Sequence, residues 1–107
     1  MADFRVAWTD AARTDLEELI RFIAADNVDN AVRTLNRIQG RCARLERFPR
    51  RGRIVPELKA IDVAVYRELM EKPWRIIYRY DDACVYVLAV LDGRRDLTGL
   101  LLERLSR

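Results

Sequence analysis

Apolar and polar positions alternate with period two along Trp74–Tyr80, so Trp74, Ile76, Tyr78 and Tyr80 share one face while Arg75, Ile77 and Arg79 share the other. This predicts a half-buried strand with its arginines on the polar side. After the turn pair Asp81-Asp82, residues 83–91 form an uncharged apolar run, the pattern of an interior strand covered on both faces. Polarity returns at Asp92, Gly93, Arg94, Arg95 and Asp96, which read as a basic turn closing the strand pair.

The rest of the chain packs around this pair. Residues 3–8 alternate Phe4, Val6 and Trp8 against Arg5, predicting a short strand at the sheet edge. Thr9 is a good N-cap, and Ala12, Leu16, Leu19, Ile20 and Ile23 follow at helical spacing, predicting a helix over about residues 10–25. A capping turn at residues 26–29 leads into Ala31, Leu35, Ile38, Cys42 and Leu45, a second helix expected to end at Phe48-Pro49. With so short a joint, the two helices form an antiparallel hairpin over the sheet. Residues 63–70 read as a strand pairing antiparallel with Trp74–Tyr80, which would set Arg67 near Arg75 or Arg79. Leu97, Leu100, Leu101 and Leu105 have helical spacing, but Gly99 weakens it and the tail is expected to be loose. The fold class is therefore α+β, an N-terminal strand and a two-helix hairpin packed on a small, mostly antiparallel sheet, in one domain over residues 1–107.

Composition narrows the chemistry. The chain has no histidine, which removes the commonest general base and metal ligand. No cofactor and no metal are expected, and catalysis would fall to carboxylates, arginine, lysine or tyrosine. Of 20 basic residues only Lys59 and Lys72 are lysines. Arginine's planar fork suits carboxylate and phosphate recognition, although a GC-rich coding bias gives the same excess. The net charge of +3 hides a segregation: residues 33–53 hold 8 basic groups and 1 acid, while residues 1–32 hold 3 basic groups and 7 acids. Arg33, Arg37, Arg41 and Arg44 form a ridge opposite the apolar stripe of the second helix, either a solvated face or a binding surface, and residues 48–53 (FPRRGR) extend it. Cys42 and Cys84 sit at apolar-pattern positions and are expected to be free thiols. With no run near the roughly 18 apolar residues of a membrane helix and no signal-peptide pattern, the protein is expected in the cytoplasm, without membrane contact.

Taken in order, Thr9, Ala11-Ala12 and Asp15-Leu16, then Asp26-Asn27, Phe48-Pro49, Gly52-Arg53, Val55-Pro56-Glu57-Leu58, Tyr66-Arg67-Glu68-Leu69, Trp74 to Arg79 and Gly93 to Leu97 resemble the RelE/ParE superfamily of bacterial type II toxins. The resemblance implies a growth-stopping toxin and a cognate antitoxin whose C-terminal segment wraps and silences it. It leaves two targets open. ParE-like members poison DNA gyrase, and RelE-like members cut messenger RNA on the ribosome. Under the gyrase reading, the turn at residues 93–97 and the exposed side of the strands bind the target, so Arg67, Arg79, Arg94 and Arg95 are binding residues. Under the nuclease reading, the resemblance sets Glu57 as candidate base and Arg75 as transition-state cation, with Asp92 where relatives carry histidine and Arg67, Arg79 and Arg94 holding phosphates. Lys72 and Tyr78 are further candidates in that branch. A structural alternative pairs Arg75 and Arg79 with Glu57, Glu68 or Asp96 across the sheet. A plain nucleic-acid-binding module built on residues 33–53 is the third reading.

Overall fold

A computed structural model describes residues 3–106; Met1, Ala2 and Arg107, the ends of the expected domain, lie outside the described residues. Strand β1 (Arg5–Trp8) leads into helices α1 (Asp10–Asp26) and α2 (Val28–Ala43), and a 3-10 turn at Arg44–Glu46 extends the second. A two-residue strand β2 (Arg53–Ile54), a single helical turn α3 (Pro56–Lys59), strands β3 (Arg67–Glu71), β4 (Trp74–Tyr80) and β5 (Cys84–Asp92), and helix α4 (Leu97–Leu105) complete the chain.

The hairpin turns on one residue. The Thr9 side chain accepts a hydrogen bond from Ala12 N and starts α1. Asn27 then donates its backbone N–H to Ile23 O, ending α1, while its side chain accepts from Asn30 N to begin α2.

The sheet order is β1-β5-β4-β3-β2, with β1 parallel to β5 and every other pair antiparallel. Both faces of the sheet are covered. Leu16, Leu19, Ile38, Cys42 and Leu45 from the hairpin meet Leu69, Ile76, Tyr78, Val85, Val87 and Val90 on one side. Val55, Leu58, Leu97 and Leu101 meet Ile77 and Ala89 on the other. A bulge accommodates this: Ile77 pairs with Ala89 and Tyr78 with Val87, so Leu88 is the extra residue.

Four expectations change. The face of Arg75 and Ile77 is not a solvated polar side, because α3 and α4 cover it and both residues are buried. The tail is a helix, since the Asp96 side chain caps it by accepting from Thr98 N and Leu97 and Leu101 bury completely enough to outweigh Gly99. The third strand begins at Arg67 rather than at residue 63, because Pro56 starts a helical turn and residues 60–66 are needed to bring the chain back to the sheet. Arg67 does not stand beside Arg75: it pairs with Tyr78, on the hairpin side, while Arg75 projects from the opposite face.

An ion pair seals the open part of the central sheet. β1 covers β5 only from Cys84 to Val87. Beyond it, the Asp15 carboxylate accepts from Val90 N at 3.0 Å, and Arg104 donates both to Asp15 and to Leu88 O. The last helix is thereby fastened to the first across the edge of β5.

Candidate functional site

Arg75 lies at the centre of a four-charge chain. Its Nε donates to Glu68 at 2.6 Å, and its two terminal nitrogens donate to both oxygens of Glu57 at 2.6 and 2.7 Å. Glu68, whose side chain is 0% exposed, also accepts from Arg53 at 2.6 Å. Register explains the arrangement: Glu68 and Arg75 share a face on adjacent strands, and α3 lays Glu57 over that face. The Arg75 hydrogen bond holds the Glu57 carboxyl below its usual range, and the carboxylates, Glu57 foremost, hold Arg75 firmly protonated. Of the pairings considered for Arg75, the chain thus makes two, with Glu57 and Glu68.

The basic turn sits on this chain. A Cβ on Gly93 would come within 2.9 Å of Pro73 O and 3.0 Å of the Arg75 side-chain carbons, so only glycine lets the turn lie against the arginine stem. Asp92 accepts two side-chain hydrogen bonds from Arg94, at 2.9 and 2.8 Å, which pull its carboxyl down to about 2. Arg94 stays mostly exposed, and Arg95 is exposed with no side-chain partner among the described residues.

The remaining candidates lie elsewhere. Arg79 stacks over the Tyr86 ring at 5.0 Å, four residues along β4 from Arg75, about 13 Å at ordinary strand rise. Arg67 donates to Gly52 O at 2.8 Å and lies over the Tyr80 ring. The structure therefore joins Glu57 and Arg75, lays the turn that carries Arg94 and Arg95 against the Arg75 stem through Gly93, and keeps Arg67 and Arg79 at the other end of β4, on opposite faces.

Two features escaped the sequence reading. One is Tyr78, whose buried ring carries a hydroxyl out to the arginine loop: it donates to Pro49 O and accepts from Gly52 N, both at 2.8 Å. The other is the sharing of the α2 ridge with β3. Arg37 pairs with Glu71 at 3.3 Å, and Arg41 is half-buried with its Nε shielded from solvent, so the ridge is not wholly solvated. Among the described residues no group of His, Cys, Asp or Glu could hold a metal ion, and no helix is long and apolar enough to cross a membrane.

Residues 6–97 match the sequence profile of the ParE toxin of the type II toxin-antitoxin system parDE. The chain belongs to the ParE toxin family. Toxin ParE3 of Caulobacter vibrioides is 36% identical over 98 residues, spanning 91% of this chain and 94% of that protein. The chromosomal ParDE system of P. aeruginosa superposes with a TM-score of 0.66 at 18% identity, over 83% of this chain and 95% of that one, a likeness of fold. The RelBE2 toxin-antitoxin complex of Mycobacterium tuberculosis gives 0.54 at 26% identity, over 86% and 93%. The protein is thus a ParE-type toxin of a type II system, with the hairpin-on-sheet fold of both relatives.

Proposed function

We propose that this ParE-type toxin stops growth by binding DNA gyrase in the cytoplasm, through the basic turn at residues 93–97. A cognate antitoxin wraps and silences it. The observation that carries this reading is the closed Arg75–Glu57 fork. A nuclease needs a carboxylate ready to accept a proton and a cation ready for the phosphorane, and here each group occupies the other. Asp92 is no substitute acid at neutral pH, since Arg94 holds its proton affinity low. The Arg95 side chain is exposed without a hydrogen-bond or ion-pair partner among the described residues, and that of Arg94, although paired with Asp92, is 71% exposed at the surface where a macromolecular target can reach it. The antitoxin is supported by the relatives, whose solved structures are described as toxin-antitoxin systems.

The test is a gyrase supercoiling assay with purified protein beside mapping of transcript 5′ ends on translating ribosomes. Inhibition of supercoiling with intact transcripts is expected, and Arg94→Glu/Arg95→Glu should weaken inhibition by about tenfold or more. Cuts in phase with the reading frame, lost in Arg75→Ala, would replace this reading with the nuclease.

A further inference from the structure

The far end of β4 carries a second basic feature, away from the turn at residues 93–97. Phe4, Phe48, Pro49 and Tyr80 line a cleft of about 650 Å³, with Arg47, Arg50 and Arg51 around its mouth. Phe48 is 56% exposed, a large apolar side chain presented at the surface. The walls are fixed from several directions. Tyr78 ties Pro49 O and Gly52 N, Arg67 ties Gly52 O, and Phe4 N donates to Glu46 O at 2.7 Å. A Cβ on Gly52 would meet Glu68 O at 2.5 Å and the Tyr78 hydroxyl at 2.7 Å, so the loop is pressed against the sheet at that point. A loop held this firmly presents its arginines without a large ordering cost.

We infer that this cleft receives an acidic peptide segment of the antitoxin, seating one apolar or aromatic side chain against Phe4, Phe48 and Tyr80 and setting carboxylates on Arg47, Arg50 and Arg51. The inference rests on the toxin-antitoxin reading for the source of the segment. Charge complementarity supports it. Arg51 has no ion-pair partner among the described residues, Arg50 contacts only the Tyr80 hydroxyl through its side chain, and Arg47 reaches Asp3 at no closer than 3.9 Å. Asp81, though on the rim, is spent on Ala83 N, Cys84 N and the Tyr86 hydroxyl. A peptide fits better than a nucleic acid. Tyr80 is met by Phe4 edge-on and lies under the Arg67 guanidinium, so the open ring face that a stacked base needs is taken, whereas a single apolar side chain can still fill the space between Phe4, Phe48 and Tyr80.

The experiment co-expresses the toxin with the adjoining reading frame, isolates the complex, and measures affinity for wild type, Phe48→Ser, Arg50→Glu/Arg51→Glu and the distant Phe22→Ser, after urea curves show each variant folded. Phe48→Ser and the double charge reversal should each weaken the complex by about tenfold or more, and Phe22→Ser by no more than about twofold. Cleft variants that bind like wild type would overturn the inference while leaving the antitoxin reading intact. Absence of any complex with wild type would overturn that reading itself. A single-stranded DNA oligonucleotide that displaces the partner, and is itself weakened by Phe48→Ser, would reassign the cleft to nucleic acid.

Discussion

Replacing Arg75 by methionine tests whether the four-charge chain is architecture or chemistry. The Arg75 side chain is 7% exposed and that of Glu68 is 0% exposed. Removing the guanidinium leaves Glu68 charged, buried and held from one side only, by Arg53, which is itself 61% exposed. Breaking a buried pair in this way costs about 3–5 kcal/mol. Glu57, 28% exposed in this pair, can turn to water and adds about 1 kcal/mol or less. A chain of this size has roughly 5–15 kcal/mol of stability in all, so the single variant loses a large share of it. The double variant Glu68→Leu/Arg75→Met removes both charges and refills their space with apolar groups, and should recover about 2–4 kcal/mol of the loss as a coupling term. Urea titration followed by circular dichroism at pH 7 reads this out, with unchanged slope and a shifted midpoint as the expected form. A loss below about 1 kcal/mol in Arg75→Met would refute the reasoning: the fork would then not hold the sheet, and Arg75 would be free for a phosphate.

Three further outcomes follow from the same contacts. Tyr78→Phe removes both hydroxyl bonds and leaves the buried Gly52 N–H without its acceptor, so it should cost about 1–3 kcal/mol in urea and speed amide exchange at Gly52. Asp15→Leu strips the acceptor from Val90 N and the partner from Arg104, and should speed exchange at Val90 and loosen α4 while leaving the hairpin protected. Because Glu57 is depressed by Arg75 in the fold, the unfolded chain takes up its proton first as pH falls; its contribution is whole above the ordinary glutamate value near pH 4.3 and is lost on acidification below it. Arg75→Met should flatten the stability curve in that acid window.

What the sequence showed and what it hid have a common cause. Period two in Trp74–Tyr80 and steps of three and four in α1 and α2 place core residues within one element, and those elements came through with their faces. The alternation could not say that the Arg75 face is covered, because arginine reads as polar whether it meets water or two glutamates. The α4 spacing was visible in Leu97, Leu100, Leu101 and Leu105, but its stability comes from Asp96 at the cap and Arg104 on Asp15, a contact 89 residues apart in sequence. The pairing of Glu57 with Arg75 was among the options considered; its bidentate form, and the part Glu68 plays in it, needed the register of β3 against β4. Nothing in the string of residues marks Tyr78 as the anchor of the arginine loop, since its ring obeys the core pattern and only its hydroxyl breaks it.

The position of the two basic features along β4 bears on how a toxin can be both potent and silenced. Arg94 and Arg95 follow the end of β5 that pairs with Trp74, and the arginine loop hangs from Tyr78 near the other end of β4. Between them the Arg53–Glu68–Arg75–Glu57 chain consumes its own charge and offers little to either partner. Positive charge is thus divided between two sites by a neutralised, rigid middle, and at a separation beyond the Debye length of about 8 Å their fields are screened from each other at physiological salt. On the readings proposed above, an acidic antitoxin can be captured by the loop end without matching the surface that gyrase sees, so the two recognitions are free to vary independently. Silencing then requires more than the cleft: the antitoxin must continue along the chain to reach residues 93–97, or hold the toxin away from its target by bulk. A cleft variant of the toxin should therefore hold its antitoxin about tenfold or more weakly yet still inhibit gyrase, and Arg94→Glu/Arg95→Glu should do the reverse, losing more of its gyrase inhibition than of its antitoxin affinity.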